Sequence, residues 1–219
     1  MMHTSQNRFS EANVAQRLTE GAMALNLAVD PEGINKLAKF VGLLAKWSRV
    51  YNLTSVRKPK DIVCRHILDC LAIVPYLHGD HILDLGTGAG LPGIPLAAVR
   101  PDITVTLLDS NAKKLRFVRH VMADLRLDNV RVRHCKMEDY RPARPFDTVV
   151  CRAFSSLADI LRHANEVCTE TGRILAMKGV YPLAEIEELK DPDWVEEVVS
   201  ITVPGLEAQR HVVILARPQ

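Results

Sequence analysis

Apolar residues recur at helical spacing at Ile34, Leu37, Ala38, Val41, Leu44 and Ala45, directly after Asp30-Pro31-Glu32. An acidic cap followed by proline suits the first turn of a helix, so this stripe predicts a helix with one buried face. Residues 11–28 have helical composition without a clean stripe. A further helix is predicted over 62–77, which sets His66 one turn from Asp69 and Cys70. From His81 the period changes, and short apolar runs alternate with helical patterns. Strands are predicted over 82–85, 104–108, 130–134, 146–151 and 173–177. Helices are predicted around 94–99, from the Ser110-Asn111 cap to 127, over 155–168 and over 182–189. Thr171-Gly172 reads as the turn before the fifth strand, and residues 194–203 and 211–217 as two last strands joined at Pro204-Gly205. Such an alternation, ending in an antiparallel hairpin, predicts an α/β fold with a Rossmann-like seven-stranded sheet. Residues 1–77 form a helical extension to it and residues 78–219 its core.

The stretch from His81 to Pro95 reads HILDLGTGAGLPGIP: a strand ending at Asp84 runs into Gly86, Gly88, Gly90 and Gly93. Glycine there supplies positive φ and lets backbone N–H groups approach a ligand. Two spacings overlap. Counted from the strand end, Asp84-x-Gly86-x-Gly88-x-Gly90 is the pattern that S-adenosylmethionine (SAM) enzymes place after their first strand. Two residues later, Gly88-x-Gly90-x-x-Gly93 satisfies the dinucleotide fingerprint, whose first glycine should follow the strand at once. The register favours SAM. Asp109, at the end of the second strand, suits a ribose diol, which fits an adenosine-containing cofactor of either kind. Met137-Glu138-Asp139 lies in a loop where an adenine would rest.

Composition and charge narrow the classes. With 219 residues, 47% hydrophobic and 25% charged, the chain has room for one well-buried α/β domain plus a modest extension. No apolar run approaches the roughly 20 residues of a membrane span, and the start, MMHTSQNRFSEAN, is polar, so a cytoplasmic location is expected. Five cysteines without a Cys-x-x-Cys pair indicate neither a zinc site nor a disulfide framework. The net charge of +2 hides an asymmetry: Lys36 to His66 holds eight Lys/Arg against Asp61 alone, and Lys113 to Lys136 holds eight against Asp124 and Asp128. Two basic segments beside a cofactor loop point to a nucleic-acid partner. A methyltransferase for small molecules would have no need of them, and a non-catalytic RNA-binding protein would dispense with the cofactor loop. His66 beside Asp69 resembles a catalytic pair, but no nucleophile motif accompanies it, so a structural hydrogen bond is expected.

Beyond these patterns, the chain resembles the RsmG (GidB) family of bacterial methyltransferases. The matching stretches are Tyr51-Asn52-Leu53-Thr54, Arg65-His66-Ile67-Leu68-Asp69, Asp84 to Pro95, Leu107-Leu108-Asp109-Ser110, Arg152-Ala153-Phe154, Lys178-Gly179 and Arg210-His211. Cys70 and Cys151 stand where the family has serine. The resemblance implies a class I SAM-dependent fold and methyl transfer to a guanine N7 of 16S ribosomal RNA, guanine 527 in the family's usual RNA numbering. It implies cofactor contacts from Gly86, Gly88, Gly90, Leu91, Asp109, Met137, Glu138 and Arg152. The expected RNA contacts are Lys36, Lys39, Lys46, Arg57, Lys58, Lys113 and Arg116. The partner would be 16S rRNA or a small-subunit assembly intermediate, with no membrane, no metal and no obligate protein partner. Guanine N7 has a lone pair and no proton, so transfer needs alignment more than acid or base help, and no catalytic side chain is expected. N7 faces the deep, narrow major groove of an RNA helix, so the target base must be splayed or extruded.

Overall fold

The computed structural model describes residues 10–152 and 156–218; Ala153, Phe154 and Ser155, named above, lie outside the described residues. Two helices open them, α1 (Glu11–Ala24) and α2 (Pro31–Tyr51). The Asp30 side chain caps α2 by accepting from the Gly33 N–H at 2.6 Å, with Pro31 in the first turn. The helix expected over 62–77 is broken into pieces. These are α3 (Pro59–Ile62), a π turn (Val63–Leu68), α4 (Asp69–Leu71) and a 3₁₀ turn (Val74–Tyr76) that contains Pro75. Wide π turns interrupt helices mostly where function demands it, and this one carries His66 into the cluster described below.

The core then alternates β1 (His81–Leu85), α5 (Gly93–Val99), β2 (Thr104–Asp109), α6 (Ala112–Leu125), β3 (Val130–His134), β4 (Phe146–Arg152), α7 (Leu157–Ala164), β5 (Cys168–Lys178), α8 (Leu183–Glu187), β6 (Val195–Ser200) and β7 (His211–Leu215). Together the strands make one seven-stranded sheet in the order β3-β2-β1-β4-β5-β7-β6. Strands β1 to β5 are parallel, and β7 runs antiparallel between β5 and β6. Strand order reverses between β1 and β4, and ligands of such sheets bind outside the carboxyl ends at that switch point. One face of the sheet packs Ile82, Val105, Leu107 and Val150 against Leu37, Phe40, Ile94, Phe117 and Val121. Helices α1 and α2 thus share a core with the sheet. On the other face, Leu83, Leu108, Val149 and Ala176 meet Leu157, Ile160 and Ala164 of α7.

Two expected boundaries shift. Helix α7 stops at Ala164, not 168, because the Val167 carbonyl already accepts from the Phe146 N–H at 2.8 Å and Cys168 begins β5. Thr171-Gly172 is not a turn before the fifth strand but a bulge inside it: Cys168 pairs with Phe146 and Arg173 with Thr148. A Cβ at Gly172 would lie 2.6 Å from Cys168 Sγ and 2.9 Å from the Asp147 carbonyl oxygen, so the glycine is needed for backbone approach.

Candidate active site

The glycine loop is built by Asp84 and Asp109 from the ends of neighbouring strands. Asp84 is fully buried, and its Oδ2 accepts from Thr87 Oγ1 at 2.6 Å and from the Gly93 N–H at 2.7 Å. One carboxylate oxygen therefore ties the strand end to the start of α5. Gly93 permits this, since a Cβ there would collide with Leu107 and sit 2.8 Å from Asp84 Oδ2. Asp84 Oδ1 is buried with no partner among the described residues. Burial pushes the Asp84 carboxyl up to about 7 against the pull of Thr87, Gly93 and Arg152. Asp109 Oδ2 accepts from the Gly88 N–H at 2.8 Å and its Oδ1 from the Asn111 N–H at 2.7 Å. Gly86, Gly88 and Gly90 have φ of +72°, +58° and +85°, the left-handed conformation that favours glycine.

Beside this loop lies a cleft of about 660 Å³ lined by Leu85, Gly86, Leu108, Asp109, Ser110, Lys114, Cys135, Lys136, Met137, Glu138 and Asp139. Its residues fit an adenosine cofactor. Each Asp109 oxygen has spare acceptor capacity for a ribose hydroxyl, and at Gly88 an added Cβ would meet nothing closer than 3.9 Å. That open space over the loop is what a ligand needs to approach the backbone.

A smaller pocket of about 310 Å³ opens on the far side of β1, lined by Val56, Arg65, His66, Asp69, Arg152, Met177, Lys178, Gly179, Ile201, Arg210 and His211. Asp69 organises it. Its Oδ1 accepts from Arg210 Nε at 2.9 Å and its Oδ2 from Arg152 Nη1 at 3.3 Å. Burial raises the Asp69 pKa, while the two arginines pull it down. Arg152 Nη1 also meets Cys70 Sγ at 3.5 Å, and Nη2 lies 3.0 Å from His66 Nδ1. The same Nδ1 lies 2.9 Å from the Arg65 carbonyl oxygen, and Nε2 lies 2.7 Å from Thr54 Oγ1, so the Nδ1–H tautomer serves Arg65 and the Nε2–H tautomer serves Arg152. Desolvation and Arg152 lower the His66 pKa to about 4, so the ring is uncharged at neutral pH.

Comparison with known proteins places this architecture. The family model described as GidB, rRNA small subunit methyltransferase G, matches residues 33–213. The chain belongs to that family. It is 47% identical over 184 residues to the ribosomal RNA small subunit methyltransferase G of Idiomarina loihiensis, covering 84% of this chain and 89% of that one. It is 46% identical over 204 residues to the protein of the same description from Pseudomonas aeruginosa LESB58, covering 93% and 95%. Among solved structures, the fold matches the ribosomal protein L11 methylase of Lactobacillus delbrueckii subsp. bulgaricus (TM-score 0.54, 16% identity, 69% of this chain and 77% of that one). It also matches Aeropyrum pernix fibrillarin with bound SAM (TM-score 0.53, 17% identity, 65% and 69%). The sheet is thus the class I methyltransferase sheet, and of the two glycine registers the SAM register is the one that applies.

Against this frame the expected residues divide. Gly86, Asp109, Met137 and Glu138 meet around the larger cleft. Gly88 lies in the loop beside it, while Gly90 and Leu91 are buried and absent from its lining. Arg152 lines the smaller pocket instead. Lys114, not among the expected residues, also lines the cleft, while its neighbour Lys113, expected to meet RNA, is exposed. His66 and Asp69, read as a structural pair, are joined through Arg152.

The two basic segments come together because α2 packs on α6, with Trp47 against Phe117 (5.4 Å between ring centroids) and His120 (5.0 Å). Lys39, Lys46, Lys113 and Arg116 are exposed along these helices. Lys36 differs, being held by Glu32 at 2.7 Å. Arg57 donates to Asn52 at 3.3 Å, and Lys58 precedes α3 in an exposed loop. Among the described residues no helix is long and apolar enough to cross a membrane.

Proposed function

We propose that the chain transfers the SAM methyl group to N7 of a guanine in 16S ribosomal RNA, with the cofactor in the larger cleft and the guanine in the smaller pocket. The observation that carries this reading is the pair of sites flanking the carboxyl end of β1. One is built on a glycine loop and a free-edged carboxylate; the other is walled by Arg65, Arg152, Lys178 and Arg210. Asp84 lies between them and feels the charges of both Arg152 and Asp109. When bound, SAM supplies a methyl group already activated by its sulfonium. The chain's own residues then have to align it. Asp109 and Glu138 hold the adenosine end, the Gly86–Gly88 backbone holds the loop side, and Asp69 fixes Arg152 and Arg210 so that their remaining N–H groups face the base edge. No proton leaves N7, so no base is required. The neutral His66, occupied at both nitrogens, is placed to orient Arg152 and not to accept a substrate proton.

The exposed cations of α2 and α6 would hold the surrounding RNA backbone. Labelled SAM offered to unmethylated small-subunit RNA or particles, beside a metabolite mixture, tests the substrate class. Label should enter the RNA alone. Label in a small molecule with none in RNA would reject the reading.

A further inference from the structure

Three of the six large hydrophobic side chains exposed among the described residues fall within four positions: Val180 at 70%, Tyr181 at 51% and Leu183 at 56%. They follow directly on Lys178 and Gly179, both of which line the smaller pocket. The Tyr181 ring meets His211, another lining residue, in an edge-on contact with centroids 5.7 Å apart and planes at 89°. The segment is anchored beneath. Pro182 is buried, and Lys178 Nζ bonds Glu185 Oε2 at 2.6 Å, an oxygen that also accepts from the Leu157 N–H at 2.8 Å. An apolar, aromatic lip is therefore held at the rim of a pocket whose walls are cationic.

Among the described residues, none of the three side chains belongs to either core. A nucleotide does have a use for the lip. A base drawn out of a stack loses contact on both faces, and enzymes that extrude bases restore it with aromatic and apolar side chains. Within the smaller pocket the aromatic rings are His66 and His211, and His66 is fixed by Thr54 and Arg152. Charge complementarity selects the partner: arginines and a lysine inside suit the phosphates and polar edge of a nucleotide, and the lip suits its flat face.

We propose that Val180, Tyr181 and Leu183 form the entry lip for the target nucleotide, with Tyr181 stacking on the extruded purine. This rests on the smaller pocket being the guanine site. The test compares Tyr181→Ala, Tyr181→Phe and Tyr181→Gln for methylation of unmethylated small-subunit particles. Losing a base–aromatic stack should lower kcat/KM by roughly 5- to 150-fold in the Ala and Gln variants, and Phe should restore it. SAM affinity by calorimetry and the salt dependence of RNA binding should not move, because neither the cofactor nor a phosphate contact is lost. Tyr181 is half exposed, so thermal unfolding should also be unchanged. Should the Ala variant fail to fold, the Phe and Gln pair carries the same comparison. Ala and Gln variants as active as the wild type would overturn the lip while leaving the proposed function standing. So would a Phe variant as poor as Gln, or a loss matched by an equal fall in SAM affinity. A wild type that methylates no small-subunit RNA would bring down both.

Discussion

Replacing His66 with glutamine removes a buried titration that opposes that of Asp84. The folded-state pKa of His66 is lowered from 6.5 to about 4, so between those values the unfolded chain binds the extra proton and stability rises with pH. Asp84 runs the other way. Its folded-state pKa is raised from 3.8 to about 7, so the folded chain keeps a proton that the unfolded chain has lost, and stability falls as pH rises across that window. At about 1.36 kcal/mol per pKa unit, each group changes stability by about 2 kcal/mol between pH 5 and pH 6.5, with opposite sign. In the wild type the two nearly cancel over that range. His66→Gln uncovers the Asp84 fall. Urea unfolding followed by the fluorescence of Trp47 and Trp194 should show the variant losing about 2 kcal/mol from pH 5 to 6.5 relative to the wild type. Asp84→Asn should gain a similar amount over the same interval. Differences between variant and wild type cancel the ordinary carboxylates that titrate alongside. Parallel stability profiles for wild type and both variants would refute the reasoning, showing that neither group is held in an unfavourable protonation state.

Further outcomes follow from the same contacts. Asp109→Ala removes the acceptor for the Gly88 and Asn111 N–H groups and the ribose partner together. Calorimetry should show SAM affinity falling by at least tenfold, at about 1.5 to 3 kcal/mol for each hydrogen bond to a charged group. Micromolar NAD binding without a SAM signal would contradict the cofactor assignment. Changing Lys39, Lys46, Lys113 and Arg116 to glutamine should weaken RNA binding and flatten its salt dependence by about 0.7 to 0.9 per lost phosphate contact, whereas Lys36→Gln should do little because Glu32 already holds that lysine. An unaltered slope in the fourfold variant would place the RNA on another face. Single-turnover transfer at saturating SAM and RNA should vary little across roughly pH 6 to 9. A tenfold-per-unit limb lost in His66→Gln would reveal a general base.

The parallel strands were legible because buried strands read as short apolar runs between turn signals, and the loop because four glycines follow Asp84. What escaped the sequence was set by tertiary contact. Thr171-Gly172 has turn chemistry, yet the approach of Asp147 and Cys168 makes it a bulge. The π turn at Val63–Leu68 leaves no trace in helical periodicity and appears only where Arg152 reaches across from β4 to His66 and Asp69. Arg152 follows a strand end, where a cofactor contact and an RNA contact fit alike, and Asp69 draws its guanidinium into the second pocket. Gly90 and Leu91 belong to the loop motif, yet they lie beneath the surface, where Ile94 closes on Gly90.

The methylated atom, N7 of a guanine, can be identified directly. Unmethylated small-subunit RNA, incubated with the protein and isotopically labelled SAM, can be digested to nucleosides and separated by mass. Label should appear in 7-methylguanosine alone, with the yield reaching one methyl group per RNA. Label in a guanine methylated at N1 or at the exocyclic amine would contradict it, since those positions carry a proton that a base would have to take, whereas N7 carries none.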